Sequence, residues 1–316
     1  MNQTRGQREP KGPRGPVAPD GVIVVNKPQD WTSHDVVSKM RGIAGTRRVG
    51  HLGTLDPIAT GVLPVMIGHA TRLARFLENS AKTYDAVVRF GFATSSYDRA
   101  GEPGPVSEVH LTPERLEEAL NPMRGEFDQV PPPVSAKKVG GVPAYKLARQ
   151  NTPVELAPVR ITVHDLELKG FDADRARILV SCSTGTYIRS IAHEWGKALG
   201  CGAHIEELVR TRSGAFDIAR SFTLETLQQM KEEGRLAEAV IPLGELPPGM
   251  PAAFVDDVTT RQIRQGRDFH VSPFRVNTGA EYVRAIGPDG GLVAIGEIVL
   301  PNVYHPIVVM SGGEPA

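Results

Sequence analysis

Residues 47–64 read RRVGHLGTLDPIATGVLP, with His51 and a single carboxylate, Asp56, set among three glycines and two prolines. No phosphate loop is present, because the basic residues precede the glycines and no G-x-x-x-x-G-K-[S/T] follows. Nor is this a metal box, since no second histidine stands at ligand spacing from His51 and Asp56. What remains is an aspartate that ionises near about pH 3.9 in water and is charged at neutral pH without activation. Read alone, Leu-Asp-Pro caps a turn. Lys27, Tyr84, Tyr187 and Arg189 also carry polar or ionisable groups, and Leu208 is apolar. Taken one at a time, they read as a surface lysine, a strand residue, helix-start packing, a surface charge and a core leucine. His51 alone is equally a loop hydrogen-bonding group or a functional one.

The elements around these residues follow from periodicity. GVIVVNKP (21–28) is a short buried strand ended by Pro28, and a helix follows with Thr32 or Ser33 as its N-cap and Val36, Val37, Met40 and Ala44 on one face. TYDAVVRFGFAT (83–94) alternates, with Tyr84, Ala86, Val88, Phe90 and Phe92 on one side, and predicts a strand. TPERLEEAL places Thr112 as a cap before Pro113 at the first helical position. The consecutive prolines of 129–150 start a loop, which turns helical near Tyr145. RILVSCSTGTYIRSIAHEWGKALG (177–200) is a strand, a turn at Gly185 and a helix with Ile188, Ile191, Ala192, Trp195 and Leu199 inward, stopped by Gly200. Tyr187 and Arg189 fall in the first turn of that helix, where side chains point out over a sheet. IPLGELPPGMP (241–251) reads as a linker, and YVRAIGPDGGLVAIGEIVL as two strands around a turn.

At 316 residues the chain is long for one core, and a large domain with a small one is expected. Its 40% hydrophobic and 23% charged content is that of a globular protein, and no apolar run approaches the roughly 20 residues that span a bilayer. The first twenty residues are polar, rich in Pro and Gly, slightly basic and without an apolar signal core, which predicts a disordered tail and a cytoplasmic protein. Cys182 and Cys201 fit neither a disulfide framework nor a zinc site and are expected as buried thiols. A net charge of zero argues against a general coating of polyanions, but not against local recognition of a folded RNA. Basic residues do cluster, at Arg47/Arg48, Arg72/Arg75, Lys137/Lys138, Arg210/Arg212 and Arg261/Arg264/Arg267.

In order along the chain, NKPQDWTSHDVV, GHLGTLDPIATGVLP, KTYDAVVRFG, PPPVSAKKVGGVPAYKLAR, CSTGTYIRSIAHEWG and GCGAHIEELVRTRSG resemble the successive motifs of the TruB family of pseudouridine synthases. The likeness runs from Gly21 to Phe222. It implies an α+β pseudouridine synthase fold, with a mixed, largely antiparallel central sheet flanked by helices. A small carboxy-terminal PUA-like β-barrel would follow. The implied division is a basic tail at 1–20, a catalytic domain at 21–245 and an RNA-binding module at 251–311.

The implied reaction isomerises uridine 55 in the T loop of tRNA, with neither cofactor nor metal. By resemblance Asp56 is the catalytic aspartate, Arg189 its guanidinium partner and Tyr84 the ring against the flipped base, with proton removal as a second role for its hydroxyl. His51 matches the histidine that supports the flipped nucleotides, Tyr187 and Leu208 match substrate contacts, and Lys27 a basic residue lining the site. The glycines are expected to admit RNA and to permit positive φ around Asp56. The implied partner is the T arm of tRNA, bound by a monomer that needs no protein partner and no membrane.

Asp30 stands where the family has glycine, Leu52 replaces a smaller residue, Ser95 replaces an acid while Asp98 is retained, and Val209 stands in for an arginine. The Ser95 and Val209 changes bear on RNA contacts rather than on the reaction. Two competing readings are an RNA chaperone without catalysis and a guide-dependent synthase of the dyskerin type.

Overall fold

The computed structural model describes residues 17–134, 138–139, 142–143, 156–272 and 279–310. The expected tail before Val17 and the expected helix near Tyr145 lie outside them. Strand β1 (Gly21–Lys27) is buried on both faces, with Val22 and Val24 packed to one side and Ile23 and Val25 to the other. Helix α1 (Ser33–Ala44) begins at Thr32, whose Oγ1 accepts from Asp35 N–H at 3.1 Å while Asp35 Oδ2 accepts from Thr32 N–H at 2.9 Å. This capping box settles the choice between Thr32 and Ser33, since each side satisfies a donor the first helical turn cannot. Asp30 holds φ 66 in the turn before the cap, a left-handed position that Asp tolerates.

β2 (Val49–His51), β3 (Thr60–Ile67), α2 (Ala74–Leu77), β4 (Lys82–Phe90), α3 (Pro113–Leu120) and β5 (Gly125–Gln129) come next. A two-stranded hairpin, β6 (Lys138–Val139) with β7 (Val142–Pro143), precedes the long β8 (Val159–Asp172) and β9 (Arg175–Cys182). Then come α4 (Ile188–Ala198), β10 (Ala203–Ser213), β11 (Phe216–Asp217), α5 (Leu224–Glu232) and β12 (Ile241–Pro242). The main sheet runs β12-β1-β3-β10-β4-β9-β8-β5, with β2 on β3 and β11 on β10. Its one parallel pair, β3 with β10, lies in the middle, so the sheet is mixed and largely antiparallel. The strand expected over 83–94 stops at Phe90, and Phe92 turns to pack on His204.

Helices α1, α3, α4 and α5 cover one face of the sheet, while Leu77 of α2 packs on the other. Trp195 of α4 is buried on the first face, edge-on to Phe90 at 4.9 Å, with its indole N–H on the Leu116 carbonyl at 3.1 Å. Against the other face packs a second sheet of β13 (Ala252–Phe254), β14 (Phe269–His270), β15 (Tyr282–Ile286), β16 (Leu292–Leu300) and β17 (Val303–Val309), with helix α6 (Asp257–Arg264). Its order, β13-β15-β16-β17-β14, makes a half-barrel. Val22, Val24, Val62 and Met66 share one apolar cluster with Leu246, Ile286, Leu292 and Ile295.

Two sequence expectations change accordingly. The 241–251 segment is no free linker: Ile241–Pro242 pairs with β1, Leu246 is buried, and Arg284 holds the Gly244 and Met250 carbonyls at 2.7 and 2.8 Å. Residues 17–20 do not belong to a disordered tail, because Ala18 is buried, its N–H reaches the Ala44 carbonyl at 3.0 Å, and Asp20 pairs with His69 at 2.5 Å. In both places apolar burial and backbone hydrogen bonding outweigh a composition rich in Pro and Gly.

Candidate active site

Asp56 lies in the loop between β2 and β3. Its neighbours Leu55, Ile58 and Ala59 are buried in the main core, which pins the loop and leaves the carboxylate at the edge of a cleft. The loop is braced by α1, where Ser33 Oγ accepts from Leu55 N–H at 2.9 Å and donates to the Leu55 carbonyl at 3.2 Å. Lys27 braces it from beneath: its buried ammonium donates to the carbonyls of Pro28 (2.9 Å), Trp31 (2.5 Å) and Pro57 (3.2 Å). Burial pushes the Lys27 pKa down to about 8, against the pull of Asp56. Expected to meet substrate, Lys27 is instead a strut, since all three of its N–H donors are taken by backbone.

Arg189 enters from the first turn of α4. Its Nη2 donates to Asp56 Oδ1 at 3.0 Å, and Nε lies 2.8 Å from Oδ2, off the line of its N–H, so that the second contact is ionic rather than a straight hydrogen bond. The rest of the guanidinium is held by the Ser96 and Val134 carbonyls, both at 2.9 Å, and by Asp98 Oδ2 at 3.4 Å. Asp98 is itself buried, and its Oδ1 accepts from Ser96 Oγ at 2.6 Å and Ala100 N–H at 3.0 Å. One cation thus bridges two carboxylates. Arg189 has only 3% of its side chain exposed, while Asp56 keeps 34%, so the aspartate is the member of the chain open to a reactant. Burial raises the Asp56 pKa, with Asp98 adding to the rise and Arg189 and Lys27 opposing it. Solvent reaching the exposed third of the side chain screens part of that rise.

On one side of the Asp56–Arg189 pair opens a cavity of about 240 Å³ whose walls include Tyr84, Leu208, Arg210, Lys82 and Tyr187. Strand register brings these together: Tyr84 of β4 stands opposite Arg210 of β10, and Leu208 lies two residues earlier on the same face. Tyr187 caps α4, its backbone clamped by Gln129, whose Oε1 accepts from Tyr187 N–H at 2.8 Å while Nε2 donates to its carbonyl at 3.0 Å. Tyr84 is buried and its phenol pKa is raised by burial, so it is a neutral hydroxyl at physiological pH. Lys82 reaches the cavity wall with its ammonium on the Glu78 and Ser80 carbonyls and on Thr184 Oγ1 (2.7, 2.6 and 2.6 Å), and burial lowers its pKa to about 8.

The structure therefore unites Asp56, Arg189, Tyr84, Tyr187 and Leu208 at one cavity, with Lys27 behind it. His51 is not on this wall. It ends β2, with Nδ1 buried and unpaired and its pKa lowered by burial, then by Arg210 and by His34. Asp98, Gln129, Lys82 and Arg210 are additions. In sequence Arg210 reads as half of a basic pair, and the signal that could have found it is its phase with Leu208 on one face of the strand. It is fully buried, with Nε on the Val62 carbonyl at 2.7 Å and Nη2 on the Gly53 carbonyl at 2.9 Å.

Gly53 and Gly61 hold the expected positive φ, and both make room for Arg210. Gly61 (φ 97) leaves room for β10, where a Cβ would stand 2.3 Å from the Arg210 carbonyl oxygen, and a Cβ on Gly53 (φ 63) would meet Arg210 Nη1 at 3.2 Å.

A mostly antiparallel sheet with an arginine-held aspartate over its centre and a half-barrel on its far face is the arrangement of a pseudouridine synthase. The chain covers 92% of its length in superposition on a solved H/ACA RNP bound to a substrate RNA containing 2'-deoxyuridine, and 85% of that chain, with TM-score 0.69 and 25% identity. A Cbf5-Nop10-Gar1 complex matches with TM-score 0.66, again at 25% identity, over 93% of this chain and 84% of the other. The family model of the TruB family pseudouridylate synthase N-terminal domain matches residues 41–188, and that of the tRNA pseudouridylate synthase B C-terminal domain matches residues 189–246. The tRNA pseudouridine synthase B of Solibacter usitatus is 58% identical over 92% of this chain and all of its own length. That of Dehalococcoides mccartyi is 37% identical over 94% and 98%. The chain belongs to the TruB family of pseudouridine synthases.

Proposed function

We propose that this protein converts a uridine of tRNA, position 55 in the T loop, to pseudouridine. The observation that carries the reading is the Asp56–Arg189 pair standing at the wall of the cavity that also holds Tyr84 and Leu208. A uridine stacked in an RNA loop cannot reach that cavity, so the base leaves its stack and enters between Tyr84 and Leu208. Stacking on the tyrosine face is worth about 1–3 kcal/mol.

There the bond from ribose C1′ to N1 breaks, the uracil turns, and C1′ bonds to C5. The C5 proton is lost and N1 gains one. Asp56 supplies the negative charge for this exchange: in the route we favour it assists departure of uracil, takes the 2′ proton and returns it to C2′ as C1′ bonds to C5. Arg189 keeps the carboxylate ionised and aimed while the entering base displaces water. The neutral phenol of Tyr84 suits a stacking face and a hydrogen-bond donor better than a proton acceptor, because its raised pKa disfavours phenolate. Lys82, Arg210 and Arg189 give the cavity wall a positive character suited to an RNA strand.

The protein is read as acting alone, as a cytoplasmic monomer on the T arm. The test is tritium release from 5-tritiated uridine in an unmodified tRNA transcript and in an isolated T-arm hairpin, with a target-cytidine transcript as control. Release from both uridine substrates and none from the control supports the reading. Release from the tRNA only in the presence of a guide RNA or protein partners points instead to guided action. No release under any condition leaves a binding protein.

A further inference from the structure

The loop carrying Asp98 is fastened to α4 at a second point that the reaction above does not use. Tyr97, the residue before Asp98, has φ 64, a left-handed backbone that a bulky side chain keeps only where its surroundings hold it. Its ring lies flat on the imidazole of His193, with centroids 3.7 Å apart and planes at 10°. His193 follows Arg189 by one helical turn on α4, so ring and guanidinium project from neighbouring positions of one rigid element.

His193 Nδ1 is buried without a hydrogen-bond partner, which leaves the face of the ring as its visible contribution. Burial keeps both rings neutral at physiological pH, lowering the imidazole pKa and raising that of the phenol. Among its other ties are backbone and hydroxyl contacts: Tyr97 O accepts from Ile205 N–H at 3.0 Å, Arg99 N–H donates to Ile205 O at 2.9 Å, and Thr94 Oγ1 donates to Asp98 O at 2.6 Å. These set its height over β10. Its distance from α4 is set by Arg189, which holds the Ser96 carbonyl at 2.9 Å and Asp98 at 3.4 Å, and by the stack.

We propose that Tyr97 and His193 form an aromatic clamp that holds the Asp98 loop against α4, so that Asp98 stays on Arg189 and, through it, keeps the Asp56 carboxylate in its reacting orientation. Both are positioning residues for the reaction proposed above, on which this inference rests. Neither lines the Tyr84 cavity, so neither is expected to meet the base.

The test is steady-state kinetics on tRNA with the full-length enzyme, alongside tRNA dissociation constants and thermal melting. Tyr97→Asn keeps a residue tolerant of positive φ but removes the ring, and His193→Ala removes the other half. Each is expected to lower kcat about tenfold or more, as small misplacements of reacting groups do, while KM and tRNA affinity stay within about twofold. The ring-conserving Tyr97→Phe and His193→Phe are expected to retain kcat within about twofold.

Should Tyr97→Asn fail to fold, the half-buried His193→Ala against His193→Phe decides. The clamp is overturned if His193→Ala keeps full kcat, if His193→Phe loses as much as His193→Ala, or if affinity falls in step with kcat. The parent enzyme separates the two failures: no pseudouridine from the parent defeats the proposed function, whereas an active parent with indifferent variants defeats only the clamp.

Discussion

Replacing Arg189 by lysine tests whether geometry, and not charge alone, is what Asp56 receives. The guanidinium touches Asp56 Oδ1 and Oδ2, the Ser96 and Val134 carbonyls and Asp98 Oδ2 at 2.8–3.4 Å. An ammonium has three N–H donors on a point charge, so at least two of these contacts are lost whichever way the lysine settles. Contacts to charged groups in a buried site are worth about 1.5 kcal/mol each at the low end, which makes the loss about 3 kcal/mol. If the pair is formed in the transition state, that is about a hundredfold in kcat. The assay is single-turnover tritium release at saturating enzyme, so that RNA affinity drops out, with melting curves to confirm the fold. An Arg189→Lys enzyme within about threefold of the parent would show that the fork is dispensable, and the role given to Arg189 would be wrong.

Three further outcomes are expected. The acid limb of kcat/KM should fall as pH drops through the Asp56 pKa and should lie above the ordinary aspartate range, because burial and Asp98 raise that pKa. A limb at or below the value of a free aspartate would contradict the burial. Trp195→Ala removes a buried indole with an aromatic neighbour and a hydrogen bond, and should cost about 3–5 kcal/mol in urea unfolding. A loss under about 1 kcal/mol would mean that α4 is not seated through this residue. Gly61→Ala places a methyl 2.3 Å from the Arg210 carbonyl oxygen at φ 97 and should lower both stability and kcat. Loss of tRNA affinity alone would return that glycine to an RNA-facing role.

Much of the site was legible in sequence where local pattern decides geometry. The alternation after Tyr84 and the turn-to-helix at Tyr187 and Arg189 placed three side chains over a sheet, and the structure puts them there. What escaped was the fate of charge. Lys27 and Arg210 read as surface groups or RNA contacts because their type favours water, and Asp98 only as a retained acid, yet all three are buried. Their burial depends on partners far away in sequence: Arg189 reaches Ser96 across 93 residues and Asp56 across 133, and Arg210 reaches Gly53 across 157. No window of one strand or helix contains such a pairing. The broken segment at 241–251 joins the two sheets, and its composition hid how firmly it is seated. Its prolines and glycines describe a chain without helix or long strand, and they do not say whether Leu246 is covered.

The most direct test of the account is Asp56→Asn, which keeps the shape and removes the charge. Single-turnover tritium release from tRNA, measured beside tRNA affinity, should show no turnover with binding within a few-fold of the parent. An Asp56→Asn enzyme that still forms pseudouridine at a rate near the parent's would contradict the claim that this carboxylate does the chemistry.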